Sequence, residues 1–362
     1  MTPTADPKIK LDLAKGQITW AKTKGNWVIN TKNLALNNSE ITTNLDLNYV
    51  IGAAGQPDLM SLDMDFPSAK LTTAYRYLPV DLDKDTYYYL SKAFSAGSIQ
   101  KGKLHIKGDP NKVPFPKVSD GEFSLNLPVT GVTYSPVPTL PSNQGVWSAF
   151  TNVDGVIAMQ NSAFTVDISQ GNYKQVALNQ FHAEIPNVSA KQLDLSVKGK
   201  AQGEATQMLE YVFASPVGKN QTALVKNLRA TGSMNLDLGL KIPLSGNADT
   251  KVDLKVELPG NRVQWSDMPP LENLKGNIRV TETNPEFENV SANGWFAQNV
   301  GRNVKFGDVT GDYSHTDMQE DYGVSQAQAY KYTKEATNRI HEKISGELSD
   351  NINKHKYERY CP

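Results

Sequence analysis

A chain of 362 residues is long enough for two or three compact domains or for one repetitive β architecture. Its 37 basic and 38 acidic side chains leave a net charge of −1, so no overall field gathers a polyanion or an anionic membrane, and nucleic acid is excluded as the expected partner. The single cysteine, Cys361, excludes an internal disulfide, while Met1 to Leu13 hold no apolar run of signal-peptide length and no stretch approaches the roughly 20 apolar residues that span a bilayer. As written, the chain reads as soluble and without an export address.

From Ile9 to about Phe66 the residues alternate apolar and polar with the period of a one-sided sheet: Ile9, Leu11 and Leu13, then Leu45, Leu47 and Tyr49, then Met60, Leu62, Met64 and Phe66. Lys15-Gly16, Lys24-Gly25 and Asn37-Asn38 read as turns. The pattern changes at Tyr75-Arg76-Tyr77-Leu78-Pro79. Between Asp83 and Ala96 the spacing of Tyr87, Leu90, Ala93 and Phe94 predicts a short amphipathic helix ended by Gly97. Strands resume at Ile99, Leu104 and Ile106 and at Phe123, Leu125 and Leu127, followed by a proline-rich loop from Pro136 to Pro141.

Further strands are expected at Val156 to Met159, Phe164 to Ile168, Val176 to Leu178, Phe181 to Ile185 and Leu193 to Val197. A second helix is predicted from Glu204 to Ala214, stopped by Pro216. The clearest alternation follows. Met234, Leu236, Leu238, Leu240, Ile242 and Leu244, then Val252, Leu254, Val256 and Leu258, place an apolar residue at every second position, and strands continue to about Val304. Gly102-Lys103-Leu104, Gly199-Lys200-Ala201, Gly232-Ser233-Met234 and Gly276-Asn277-Ile278 suggest a weak repeat in which glycine opens a strand. In the tail, Ala336, Ile340, Ile344, Leu348 and Ile352 stand four apart and predict an amphipathic helix interrupted near Gly346.

Little in the sequence carries bond-making chemistry. His105, His182, His315, His341 and His355 are scattered, with no second histidine, cysteine or carboxylate at metal-ligand spacing, and His105 and His182 are expected to face solvent from strands. Ser98-Ile99-Gln100-Lys101 matches a serine-x-x-lysine pattern, but that serine must open a helix and the companion Lys-Thr-Gly is absent. Trp20, Trp27, Trp147, Trp265 and Trp295 alternate with apolar neighbours and read as core or groove lining rather than carbohydrate platforms. No catalytic residue, cofactor or metal is expected.

The order of Tyr75-Arg76-Tyr77-Leu78-Pro79, Tyr89-Leu90, Ala96-Gly97-Ser98-Ile99, Gly102-Lys103-Leu104, Gly108, Pro114-Phe115-Pro116, Gly121-Glu122-Phe123, Ala214-Ser215-Pro216-Val217, Gly239 to Leu244 and Leu274 to Glu282 resembles the YhdP-like, AsmA/TamB-related proteins of the Gram-negative envelope, over roughly Ile9 to Asn299. The resemblance implies a long, twisted, taco-like antiparallel sheet with an apolar inner groove. It also implies a periplasmic protein on an inner-membrane anchor, along which phospholipids pass toward the outer membrane. The family's membrane helix is not found here, and the tail after about Asp312 does not continue the β pattern, so the chain reads as a partial member.

The fold expected is therefore mainly β: a repetitive antiparallel groove with two short helices and a helical C-terminal tail. Residues 1–74 form an N-terminal β segment, 75–312 the groove, and 313–362 the polar tail. Roughly 15 to 20 strands at about 4.8 Å would extend roughly 70 to 95 Å. The residues from Met234 to Leu244 and from Val252 to Leu258 would line the groove, bordered by Tyr87, Leu90 and Phe94, and the partners would be phospholipid acyl chains and other envelope proteins. The rival readings are a non-catalytic structural or adaptor module whose apolar face is closed, and a β-scaffold glycan hydrolase, which requires two inward carboxylates roughly 5 to 10 Å apart.

Overall fold

The computed structural model describes residues 9–79, 82–138, 142–215, 227–245, 249–265, 270–281, 285–293 and 304–305. The predicted tail helix and Trp295 lie outside them. The described residues form β1 (Leu13–Thr23), β2 (Asn26–Asn37), β3 (Ile41–Ile51), β4 (Leu59–Lys70), α1 (Lys84–Ala93), β5 (Phe94–Gly108), β6 (Gly121–Tyr134), β7 (Phe150–Gln160), β8 (Ala163–Tyr173), β9 (Val176–Ile185) and β10 (Asp194–Glu204). They continue with α2 (Ala205–Ala214), β11 (Leu228–Thr231), β12 (Ser233–Pro243), β13 (Lys251–Trp265), β14 (Leu271–Thr281), β15 (Pro285–Asn293) and β16 (Val304–Lys305).

All 16 strands belong to one open sheet in which each strand lies antiparallel beside the next, except that β10 pairs with β12 and β11 pairs with β13. Hairpin chemistry explains this order. Lys24 and Gly25 join β1 to β2 with both φ angles positive, the two-residue turn whose twist matches that of the strands it connects. Asn38 turns β2 into β3 by accepting the backbone N–H groups of Glu40 and Ile41 at 2.9 and 3.0 Å. Between β11 and β12 the chain breaks at Gly232, and fully buried Asn261 of β13 donates across the break to the carbonyls of Thr231 and Ser233, each at 3.0 Å.

Register shifts interrupt many of the pairings. Asn33, Lys101, Asn152, Gln180, Asn273 and Asn289 sit at these shifts with φ between 50° and 56°. Each is a bulge: the extra residue bends its strand and raises the local twist. Lys15-Gly16 is a further shift inside β1 rather than the expected turn, since β1 stays paired with β2 on both sides of it, and glycine fits there because a Cβ would come within 2.9 Å of Leu34.

Two other expectations are corrected. The first helix ends at Ala93, and Phe94 is the first residue of β5, paired with Tyr134 of β6. Tertiary pairing overrides the helical spacing of Tyr87, Leu90 and Phe94. Of the four glycine-led entries only Gly232 precedes a strand; Gly102, Gly199 and Gly276 lie inside β5, β10 and β14. There they make room for a large neighbour: a Cβ would stand 2.9 Å from Leu127, 2.3 Å from Phe181 and 2.7 Å from Val290, respectively. The second helix falls within one residue of its predicted span.

Candidate functional site: an apolar face walled at both strand ends

The pairing registers carry apolar residues across the sheet in rows. One row crosses eight strands through Leu34, Leu45, Met64, Leu104, Leu125, Met159, Phe164 and Ile185. A second crosses seven through Leu127, Ile157, Val166, Ala183, Val197, Leu240 and Val252. Because side chains alternate between faces, these rows share one face and the intervening polar residues occupy the other. All fifteen side chains are half-buried, and none is fully buried. A sheet face packed under a second layer would bury its central positions, so neighbouring strands flank these side chains and nothing described lies over them.

On this same face both ends of β5 and β6 are walled. At one end the short turn Leu71–Tyr77 buries Leu71 against Ile99, Val129, Val132 and Val153. The sequence Tyr75-Arg76-Tyr77 clamps that turn: Tyr75 meets Tyr87 of α1 edge-on at 5.6 Å, Arg76 pairs with Glu40, and the Tyr77 hydroxyl donates to Glu40 at 3.0 Å. Asp83 accepts the Thr86 N–H at 3.0 Å and starts α1. Farther along, α2 lays Met208 on Tyr173, Val176, Leu178 and Ala201. Tyr211 of α2 stacks on Phe150 at 5.3 Å and contacts Trp147 and Tyr173.

At the other end the wall is the loop between β5 and β6. Phe115 is fully buried over Gly108 and Gly121, which face each other across the two strands. A Cβ on Gly108 or Gly121 would come within 2.9 or 2.6 Å of the ring. Asn161 fixes the loop by donating to the carbonyls of Phe115 and Gly121 at 3.1 and 3.3 Å. The Pro-Phe-Pro sequence and its two glycines thus form one packing unit.

The polar face carries ion pairs on neighbouring strands, such as Arg279 with Asp253 at 2.9 Å, which holds the Asp253 carboxyl below its ordinary pKa. His105 and His182 stand on this face, as expected. The sequence reading missed their carboxylate neighbours: His105 Nδ1 lies 2.7 Å from Asp63 and Nε2 3.6 Å from Glu122, while His182 lies 2.6 Å from Asp167 and 3.9 Å from Glu184. Strand register brings in Asp63, Glu122 and Asp167, which linear spacing cannot display, whereas Glu184 stands two residues from His182 on the same strand. Among the described residues, no group of three or more His, Cys, Asp or Glu side chains is placed to hold a metal ion. Ser98 lies inside β5 opposite Lys70 and Thr130 and opens no helix.

Of the residues predicted to line the groove, Met234, Leu236, Leu238, Leu240 and Ile242 stand on the apolar face of β12, opposite Gly203, Ala201, Gly199, Val197 and Leu195 of β10. Leu236, Leu238 and Leu240 oppose Val256, Leu254 and Val252 of β13 on the other side. Leu258 is buried with Leu274, Val290 and Ala292. Leu244 departs from the pattern: it follows the end of β12, half-exposed, with its N–H on the Leu193 carbonyl at 2.7 Å. In the bordering helix, Tyr87 is buried and Leu90 half-buried, whereas Phe94 belongs to β5 and packs against Tyr134. Trp20 and Trp27 are not core residues; at the β1 edge they are 69% and 47% exposed.

No solved structure matches the chain. No helix among the described residues is long and apolar enough to cross a membrane. The chain is 26% identical over 300 residues to the intermembrane phospholipid transporter YhdP of Escherichia coli (strain K12), a match that covers 82% of this chain and 22% of that relative. It therefore spans about a fifth of the length of the relative it resembles. The sequence model of the YhdP protein family matches residues 3–356, a longer stretch than the Ile9 to Asn299 that carries the resembling motifs. With a mainly β, open antiparallel sheet beneath that match, the chain belongs to the YhdP family.

Proposed function

We propose that this chain is a segment of an envelope protein that shields phospholipid acyl chains on the apolar face of its sheet and lets them pass along it. The observation that carries the proposal is the half-buried pair of rows, eight and seven apolar side chains long, with walls at both ends of the central strands and no layer of described residues over the middle. Each acyl methylene taken from water onto such a face gains about 0.8 kcal/mol, while headgroups at the open side stay hydrated. Adjacent lipid positions along the rows are nearly equivalent, so passage requires no chemical step.

The residues of β12 and β13 from Met234 to Leu258 belong to this lining, with Tyr87 and Leu90 of α1 in its border. On this reading the segment acts in the periplasm, within a longer protein held at the inner membrane, and moves phospholipid toward the outer membrane. The relative's name supports the ligand class. Native mass spectrometry of the chain purified from a Gram-negative periplasm tests the proposal. Phospholipid should co-purify and be lost on delipidation, whereas a lipid-free spectrum that stays lipid-free after incubation with phospholipid vesicles would refute it.

A further inference from the structure

Among its aromatic rings, the wall at the helix end holds a pair of hydroxyls bonded to each other. Tyr89 of α1 and Tyr134 of β6 place their hydroxyl oxygens 2.7 Å apart. Tyr134 shares the apolar face, packs against Phe94 at 5.7 Å and lies opposite Phe150 of β7. Phe150 in turn stacks on Tyr211 of α2. The hydroxyl pair therefore sits between the two helices in an aromatic surround.

Two hydroxyls that bond to each other use one hydrogen and leave one, since each phenol is both donor and acceptor. Neither has a second hydrogen-bond partner among the described residues. Burial raises the pKa of both phenols, so the spare hydrogen stays in place at any physiological pH. A donor in an aromatic surround selects a ligand that is apolar along most of its length and carries an acceptor at one end, because an apolar ligand alone would leave it unsatisfied.

We propose that the Tyr89–Tyr134 hydroxyl pair is a binding subsite for the ester carbonyl of a diacyl lipid, fixing the glycerol end at the helix wall while the chain lies along the apolar rows. The inference rests on the reading of that face as an acyl-chain groove and adds a fixed register to it. The two apolar rows offer no hydrogen to a lipid, so the pair supplies a fixed point that the rows themselves lack.

The test is a competition between two phosphatidylglycerols with the same headgroup and chain length, one ester-linked and one ether-linked, read by native mass spectrometry of the full chain. The ether analogue keeps the apolar contacts and lacks the carbonyl acceptor. The wild-type chain should retain the ester lipid roughly two- to ten-fold over the ether lipid, the range for one net hydrogen bond. The double variant Tyr89→Phe, Tyr134→Phe, which keeps both rings, should bind both lipids equally and melt as a folded protein. Each single variant leaves one hydroxyl and should keep part of the preference. Equal binding by the wild type, or an undiminished preference in the double variant, would overturn this subsite while leaving the groove reading intact; failure to bind either lipid would overturn both.

Discussion

Glycine at positions 108 and 121 is dictated by the Phe115 ring together with nearby backbone: a Cβ on Gly121 would also stand 2.6 Å from the Lys107 carbonyl oxygen, and one on Gly108 3.0 Å from that of Asp120. The Phe115 ring occupies the volume a Cβ would need at either site, so Gly121→Val should force the ring and its loop outward and cost about 1–3 kcal/mol by overpacking. Phe115→Ala should cost about 3–5 kcal/mol, and chemical denaturation measures both. The alternation itself is tested at β12. Leu238→Asp puts a carboxylate on the apolar face among Gly199 and Leu254, where no charged partner exists, and should cost at least about 1–3 kcal/mol. Asp237→Asn, one residue away on the polar face, should leave the melting temperature nearly unchanged. Equal losses in the two variants would contradict the assignment of faces.

Asp154 links a residue to the shape of the sheet. It accepts the N–H of Gly131 at 2.8 Å, the Thr130 hydroxyl at 2.9 Å and Gln170 at 2.6 Å, and so fixes the bulge where Gly131 has φ +61°. These bonds, led by the Gly131 N–H, hold its carboxyl below the ordinary pKa. A carboxyl depressed in the folded state contributes stability above its unfolded pKa and loses it as pH falls through the folded value. Asp154→Ala should therefore lower the melting temperature at neutral pH, and the gap from wild type should shrink below about pH 4. A gap that stays constant into acid would show that the carboxylate charge plays no part.

At the scale of elements, strands with strict alternation were legible because each has one apolar face and one wet face. The bulges were not. Asn152 and Asn289 look like ordinary polar strand residues, and only pairing shows that each adopts positive φ. Asn152→Val should cost about 1–2 kcal/mol through left-handed backbone strain, while Asn152→Gly should be tolerated, a contrast thermal melts resolve. Helix α1 shows the reverse limit. Its helical spacing was visible, yet its end was set by a strand pair, Phe94 with Tyr134, whose partner lies 40 residues downstream. Tyr87→Ala should cost about 3–5 kcal/mol because the ring is buried against Tyr75, and Leu90→Ala should fall below the roughly 2–5 kcal/mol of a fully buried leucine. Comparable losses at the two positions would show that Leu90 is as deeply packed as Tyr87.

At the scale of the whole molecule, fifteen strand positions from β1 to β16 span about 65–70 Å at ordinary strand spacing, several times the width of one lipid. The apolar face and the two helices that border it were legible in the sequence, but the opposite wall was not: only the fold sets Phe115 over Gly108 and Gly121 at the other end of the strands from Met208. Those walls turn a half-covered sheet into a bounded track, and the central claim is that acyl chains lie between them. Site-specific photocrosslinking tests it most directly, with a benzophenone amino acid placed at Leu125, Val166 or Leu240 on the apolar rows and at Asn126, Asp167 or Lys241 on the opposite face. The account predicts phospholipid adducts at the first three positions and none above background at the last three; adducts of equal yield on both faces, or only on the polar face, would contradict it.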